Sequence, residues 1–500
     1  MRLGIDLGTG SLKLMAVDED GRALGTASRP YRIVSPAPGA AETDPEEWIA
    51  ALRDSWAELS ASLAAAGADR TVESIGLGGH MHGFVTVDAA GRTIYPALLW
   101  PDTRGAEFLG EFDKVPAEAR ARLMNAPAAG MAAVDILWLK KYHPKVYADA
   151  AAFLFPKDYV RFRLTGKIAG DPGDSSAGLI YDFAAGTWSE EVLAAFGIDR
   201  EKLPPIRGSF ELAGFVTERA AAETGLPGGV SVAIGSSDAA CALAGSGLFT
   251  DFFAGGASAA AQIAVGSGAQ VIMPYRGLPT FDPALNCFET AFPGVRYRMA
   301  AMLNAGVALE WVRSALSIEW DDFYAAWEAG DLSLPKDLFF LPYLSGERSP
   351  YNDPASRGSW IGVGLHHDRM QLLAAALLGV ACTVRLGVEH IGFGPETTAY
   401  LVGGSARRVP WRKLLASVIG RPLELCAETD SSARGAAYIG GMVRGVIAGG
   451  AALPPEAFVG PAPAPTLRID PEEIPWIDSY YGKFNRLYGA LYGKDGAYSG

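Results

Sequence analysis

The stretch Leu3-Gly4-Ile5-Asp6-Leu7-Gly8-Thr9-Gly10-Ser11-Leu12-Lys13-Leu14 decides how the rest of the chain is read. Leu3–Leu7 is a short apolar run. Gly8-Thr9-Gly10-Ser11 is a turn, because glycine takes positive φ at no steric cost. Leu12–Asp18 reads as a second strand, Glu19-Asp20-Gly21-Arg22 as a hairpin turn and Ala23–Ser28 as a third strand. Strand–glycine turn–strand carries a chemical expectation. Backbone N–H groups in such a turn converge on one concavity and bind phosphate oxygens. In that reading Gly8 and Thr9 hold phosphate, and Lys13 adds a cation just beyond. Asp6, at the strand end, is placed to hold Mg²⁺, which prefers a few carboxylates together with water and phosphate. Taken alone, a plain hairpin with an exposed aspartate fits the same residues.

Two later stretches echo the first. Gln262–Val265, Gly266-Ser267-Gly268-Ala269 and Gln270–Met273 repeat strand–glycine turn–strand. The strand Thr398–Val402 runs into Gly403-Gly404-Ser405, followed by a helix with Trp411, Leu414, Leu415 and Val418. One turn from each half suits the phosphates of a nucleotide, and the third allows close approach of an adenosine. The echo predicts a duplicated domain with a boundary near residues 240–250.

Between these turns the pattern alternates. Thr43 or Asp44 caps a helix that opens on Pro45 with Glu46 and Glu47 in its first turn. Trp48, Leu52, Trp56, Leu59 and Leu63 follow at helical spacing. Val72–Gly78 is a further strand. This alternation predicts an α/β fold. With 500 residues there is room for two or three domains. Near the C-terminus, Pro454–Pro465 reads as a Pro/Ala-rich linker. Trp476, Tyr480, Phe484, Leu487, Leu491 and Tyr492 predict a terminal helix.

The net charge of −13 argues against a nucleic-acid binder or a basic membrane-surface protein. Four scattered cysteines give neither a disulfide framework nor a zinc module. Leu372–Val384 is too short to span a bilayer, which needs about 20 residues. Phe252–Tyr275 is interrupted by glycines and reads as strand–turn–strand. A soluble, cytoplasmic protein in a reducing compartment is expected. The sequence has no G-x-x-x-x-G-K-[ST], no G-x-S-x-G and no Rossmann fingerprint.

Three further groups carry polar chemistry. His80 and His82 form H-x-H at a strand end, where alternate residues would share a face. No third zinc ligand is near, which leaves His82 as a polar ligand or a buried hydrogen-bonded histidine. Trp100-Pro101-Asp102-Thr103-Arg104 joins an aromatic platform to an acid and a base. The face would cover the C–H groups of a polyol and the charges would hold its hydroxyls; a surface turn with an internal charge pair is the plainer reading. Asp238, in Ile234-Gly235-Ser236-Ser237-Asp238-Ala239-Ala240, is either a helix N-cap or a carboxylate accepting the proton of an attacking hydroxyl. An ordinary Asp pKa would suffice, since positioning and charge stabilisation dominate phosphoryl transfer.

These residues resemble a known family. The order Gly4-Ile5-Asp6-Leu7-Gly8-Thr9, Met81-His82-Gly83, Leu99-Trp100-Pro101-Asp102-Thr103-Arg104, Pro156-Lys157-Asp158-Tyr159, Gly266-Ser267-Gly268, Leu341–Pro350 and Gly403-Gly404-Ser405 is similar to that of FGGY carbohydrate kinases, most of all their xylulokinase branch. The resemblance implies two actin-like (ribonuclease H-like) ATPase domains with a cleft between them. It implies ATP and Mg²⁺ as cofactors and a small-molecule sugar as substrate, D-xylulose first, gluconate or another polyol second. It gives Asp238 as base, Asp6 as organiser of Mg-ATP, and Met81, His82, Gly83, Trp100, Asp102 and Arg104 as sugar contacts. It divides the chain at 1–245 (sugar and base), 246–448 (nucleotide) and 449–500 (linker and terminal helix). An actin-like switch or a non-catalytic sugar sensor would share the phosphate loops. A homodimer is compatible. His80, Pro101 and Ala239 depart from the usual xylulokinase pattern.

Overall fold

Two seven-stranded sheets organise the chain. The computed structural model describes residues 1–255, 260–403, 407–425, 430–447 and 467–493. Pro454–Pro465, Gly404 and Ser405 lie outside the described residues. The first sheet holds β1 (Arg2–Leu7), β2 (Ser11–Val17), β3 (Ala23–Pro30), β4 (Ser74–Gly79), β5 (Leu212–Phe215), β6 (Ser231–Ala233) and β7 (Ser236–Ser237). Its order is β5-β6-β4-β1-β2-β3, with β7 continuing along β4. The second holds β8 (Ala260–Val265), β9 (Ala269–Arg276), β10 (Asn286–Glu289), β11 (Val295–Met302), β12 (Thr398–Val402), β13 (Leu423–Leu425) and β14 (Leu467–Ile469), in the order β10-β11-β9-β8-β12-β13-β14.

The two sheets share a plan. Each opens on an antiparallel hairpin, β1–β2 and β8–β9. Each then places a later strand parallel to the opening one, β4 beside β1 and β12 beside β8. Both glycine turns therefore sit at matching hairpins, at the C-terminal ends of the opening strands. In an open α/β sheet that end, next to the strand where the order reverses, is where ligands bind.

The helices that matter here are α1 (Pro45–Ala65), α2 (Pro156–Thr165), α3 (Pro172–Ser175), α4 (Asp238–Gly245), α5 (Leu248–Gly255), α6 (Gly306–Ala315), α7 (Arg369–Ile391), α8 (Val409–Ile419), α9 (Ser431–Ile447) and α10 (Ile477–Tyr492). Asp44 caps α1 through Glu46 N, and the apolar stripe of α1 is buried against the first sheet. Asp368 and Gln371 close a capping box on α7. By length and composition α7 could cross a membrane, yet it is a core helix, with 83% of its most apolar window buried. A separate apolar core built on Phe84, Phe112, Trp138, Phe196 and Leu203 belongs to a largely helical insert between β4 and β5, which breaks the expected alternation.

Helix α9 comes late in the chain and packs on the first sheet, against β1 and β4. The contact needs glycine. A Cβ on Gly4 would lie 1.8 Å from Ala433 O, and one on Gly76 1.8 Å from Ala436 O. Nothing local in the sequence announces this docking. The reading of Phe252–Tyr275 as strand–turn–strand is corrected at its start, where Leu248–Gly255 is helical. Phe249 and Phe252, three apart, are both buried, and Phe249 meets Phe292 edge-on, which a helix permits and a strand does not.

Candidate functional site

Asp6 is the penultimate residue of β1, directly opposite Lys13 on β2. Its Oδ1 is enclosed and has no hydrogen-bond partner. Burial raises its pKa to about 6, against the lowering effect of Lys13. Lys13 itself is bound to Asp430 at 2.7 Å, so the cation expected beside the first turn is already paired. That partner is 417 positions away, too far for any local pattern to signal it. The turn is braced from two sides. The Tyr31 hydroxyl donates to Gly8 O, and Trp100 Nε1 donates to Thr9 Oγ1 at 2.9 Å. Thr9 accepts that bond and keeps its own proton to donate.

Asp238 is the first residue of α4, immediately after β7. The N-cap expectation for it is corrected: Ser237 takes the cap, its Oγ accepting from Ala240 N at 3.4 Å. Asp238 is thereby released from capping, and among the described hydrogen bonds its carboxylate accepts only from Ala239 N, at 2.6 Å, while its carbonyl accepts from Ser432 Oγ at 3.2 Å. Its pKa is not ordinary. Burial pushes it up to about 7, and the charge of Asp6 adds to the rise. Both carboxylates are enclosed, among the described residues neither is bonded to a cation, and the charge of Asp6 opposes the ionisation of Asp238. An orphaned carboxylate oxygen next to a second carboxylate suits a hard divalent cation.

Strand β7, which carries the chain to Asp238, rests on a buried charge cluster. Lys157 Nζ contacts Asp158 at 2.5 Å, Asp171 at 2.6 Å and Asp174 at 3.1 Å, all with unexposed side chains. Arg161 bonds Asp158 and Ile234 O, each at 2.7 Å. Ser236 Oγ donates to Asp171 at 3.0 Å. Sequence reading noted Lys157 and Asp158 only as part of a familiar stretch and missed this support.

The wall facing Asp238 comes from both halves. His82 has φ 79°, a left-handed conformation that a histidine seldom adopts. Its Nδ1 sits 2.9 Å from Ala177 O. A carbonyl only accepts, so Nδ1 carries the proton and Nε2 keeps a lone pair. Burial lowers the His82 pKa to about 4, which keeps the ring neutral. Phe288 on β10 meets His82 edge-on, and the Tyr297 hydroxyl on β11 approaches Met81 Sδ at 3.6 Å. Gly83 is pressed onto Leu98 O, where a Cβ would stand 2.2 Å away. His80 does not share a face with His82, because β4 stops at Gly79. His80 is buried against Trp48 with neither ring nitrogen bonded.

Asp102 and Arg104 are bound to each other, at 2.6 Å, rather than left open for hydroxyls. Arg104 also bonds Glu42 at 2.6 Å and stacks 4.1 Å above the Trp138 ring. Asp102 accepts from Ala41 N. The internal charge pair is the reading these contacts favour. Trp100 remains beside the first turn.

The second turn is tied into α6. Ala305 N and Val307 N donate to Ser267 O, and Gly306 N donates to Gly266 O. Gly268 abuts Met302 O. Gly403, with φ 103°, lies against Val265 at the base of the same turn.

Comparison with known proteins agrees with this geometry. The pattern of the FGGY family of carbohydrate kinases, N-terminal domain, matches residues 1–245, and that of its C-terminal domain matches residues 262–443. The xylulose kinase of Escherichia coli K12 is 30% identical over 433 residues, covering 85% of this chain and 86% of that protein. The xylulose kinase of Lactococcus lactis is 33% identical, covering 77% and 75%. The crystal structure of a "xyloylose kinase" from Brucella ovis superposes with a TM-score of 0.88 at 32% identity, covering 99% of this chain and 100% of that one.

Proposed function

This chain belongs to the FGGY family of carbohydrate kinases, and we propose that it phosphorylates D-xylulose on its C5 hydroxyl with Mg-ATP. The observation that carries the mechanism is the buried Asp238, free of the capping role and raised in pKa by burial and by the charge of Asp6. Asp238 accepts the hydroxyl proton as the oxygen attacks. A base with a pKa near 7 is matched to neutral pH. Mg²⁺, when bound on Asp6, neutralises phosphate charge. Gly8 and Thr9 cradle phosphate from one half, Gly266, Ser267 and Gly268 from the other, and Gly403 lines the adenosine side. His82 accepts a sugar hydroxyl at Nε2, with Met81 and Gly83 shaping the floor and Trp100 the side. In this reading residues 1–245 hold the sugar and the base, residues 246–448 hold the nucleotide, and the helix Ile477–Tyr492 lies in the segment beyond them.

Relatives named xylulose kinase at about 30% identity support the choice of sugar. Ala239 favours a second reading, a kinase for gluconate or another polyol, because its methyl gives no hydrogen bond next to the base. A coupled ADP assay over ketoses, alditols and aldonates separates the two. D-xylulose is expected to give the highest kcat/KM. A tenfold preference for gluconate would replace the first reading with the second, and ADP release indifferent to every sugar would remove both.

A further inference from the structure

The acidic chain must supply positive potential to an anionic ligand, and Lys13, the cation nearest the first turn, is spent on Asp430. Arg348 is in a different position. Its guanidinium lies 6.0 Å from the Trp100 ring centre. Among the described residues it makes no side-chain hydrogen bond and no ion pair. The nearest carboxylate, Glu347, is turned to other donors: Leu303 N at 2.6 Å, Arg348 N at 2.8 Å and Asn304 Nδ2 at 3.4 Å. Burial of the Arg348 guanidinium draws its pKa down, and its charge in turn helps keep His82 neutral. A half-buried cation whose neighbouring carboxylate is bonded elsewhere has room for an anion to join it.

Its supports tell where that anion lies. The segment bearing Arg348 is pinned by Asn304, which donates to Gly346 O at 2.6 Å and accepts from Ser345 N at 3.3 Å. Asn304 directly precedes the amides that bond Ser267 and Gly266 of the second turn. On its other side Arg348 meets Trp100, which is bonded to Thr9 of the first turn, and it stands near His82 of the sugar wall. Arg348 therefore stands where both phosphate turns and the sugar wall come together.

We propose that Arg348 is a catalytic residue that binds the phosphoryl group in flight. This rests on the kinase reading above. In the step, the sugar hydroxyl oxygen bonds to the γ-phosphorus. The bond from that phosphorus to the β,γ-bridging oxygen breaks, and its electron pair stays on ADP. The hydroxyl proton passes to Asp238. Arg348 donates N–H bonds to the three-oxygen group between the two, where charge spreads in a loose transition state. The planar fork suits that group better than an ammonium does.

The test is steady-state kinetics of Arg348→Met and Arg348→Lys, with calorimetric titration of ADP in the presence of sugar, with and without aluminium fluoride as a mimic of the planar phosphoryl group. Arg348→Met is expected to lose on the order of 10³-fold in kcat, with KM for sugar and ATP within about threefold. Arg348→Lys is expected to fall between, and still at least about tenfold below wild type. Aluminium fluoride should tighten ADP binding in wild type and not in Arg348→Met. Should Arg348→Met fail to fold, Arg348→Lys carries both measurements. A kcat within threefold of wild type, a loss confined to sugar KM, or undiminished tightening by aluminium fluoride would overturn the assignment. A wild-type enzyme that phosphorylates no sugar would instead overturn the kinase reading itself.

Discussion

Two groups of buried carboxylates adjoin β7, and they are built on different principles. In the first, Asp158, Asp171 and Asp174 surround Lys157 and Arg161 with unexposed side chains. In the second, Asp6 acts on Asp238 through its charge, and among the described residues neither has a bonded cation. The first group sets two cations of the chain against three carboxylates and holds β7 through Ser236 and Ile234. The second is left for a ligand to neutralise. A buried charge met by its own chain is architecture, and one left unmet is a demand on substrate and metal.

The largest expected effect breaks the first group. Lys157→Met leaves three carboxylates without their shared cation and should cost about 3–5 kcal/mol of stability. Urea unfolding measures it. A midpoint unchanged from wild type would mean that the cluster carries no weight.

The second group should respond in the reverse direction. The folded pKa of Asp238, about 7, stands above its ordinary 3.8. The folded protein therefore binds more protons than the unfolded chain between those values, and this group weakens the fold as pH rises through that window. Asp238→Asn removes the cost. Its melting temperature should exceed that of wild type at pH 8 and converge with it toward pH 4. A variant less stable than wild type at pH 8 would show that Asp238 is structural after all.

A smaller effect sharpens the contrast within the cleft. His82→Ala should raise KM for sugar about tenfold, the scale of one lost hydrogen bond of about 1.4 kcal/mol, with KM for ATP little changed. Equal increases for both substrates would make His82 a structural residue held by Ala177.

How far the sequence carried these readings depended on chain distance. The opening hairpin, the echo at Gly266–Gly268, the strand before Gly403 and the cap of α1 were legible, because turns and caps are written in adjacent residues. The docking of α9 on Gly4 and Gly76 was not, since the glycines and the helix lie far apart in the chain. The same holds for Lys13, whose partner Asp430 became visible only in three dimensions. Asp102 and Arg104 admit two readings in the sequence, sugar contacts or an internal charge pair, because their proximity in sequence does not say whether they face a cleft or each other. Asp238 was found by its position after an apolar strand. Its elevated pKa could not be, since burial and the nearness of Asp6 are properties of the fold.

The central claim is that Asp238 takes the proton in a sugar-dependent phosphoryl transfer. It is tested most directly by measuring ADP release at saturating Mg-ATP, with and without D-xylulose, for wild type and Asp238→Asn side by side. The expected result is sugar-dependent turnover in wild type and a loss of about 10²–10⁴-fold in the variant, with ADP affinity unchanged. Sugar-dependent turnover at the wild-type rate in Asp238→Asn would contradict it.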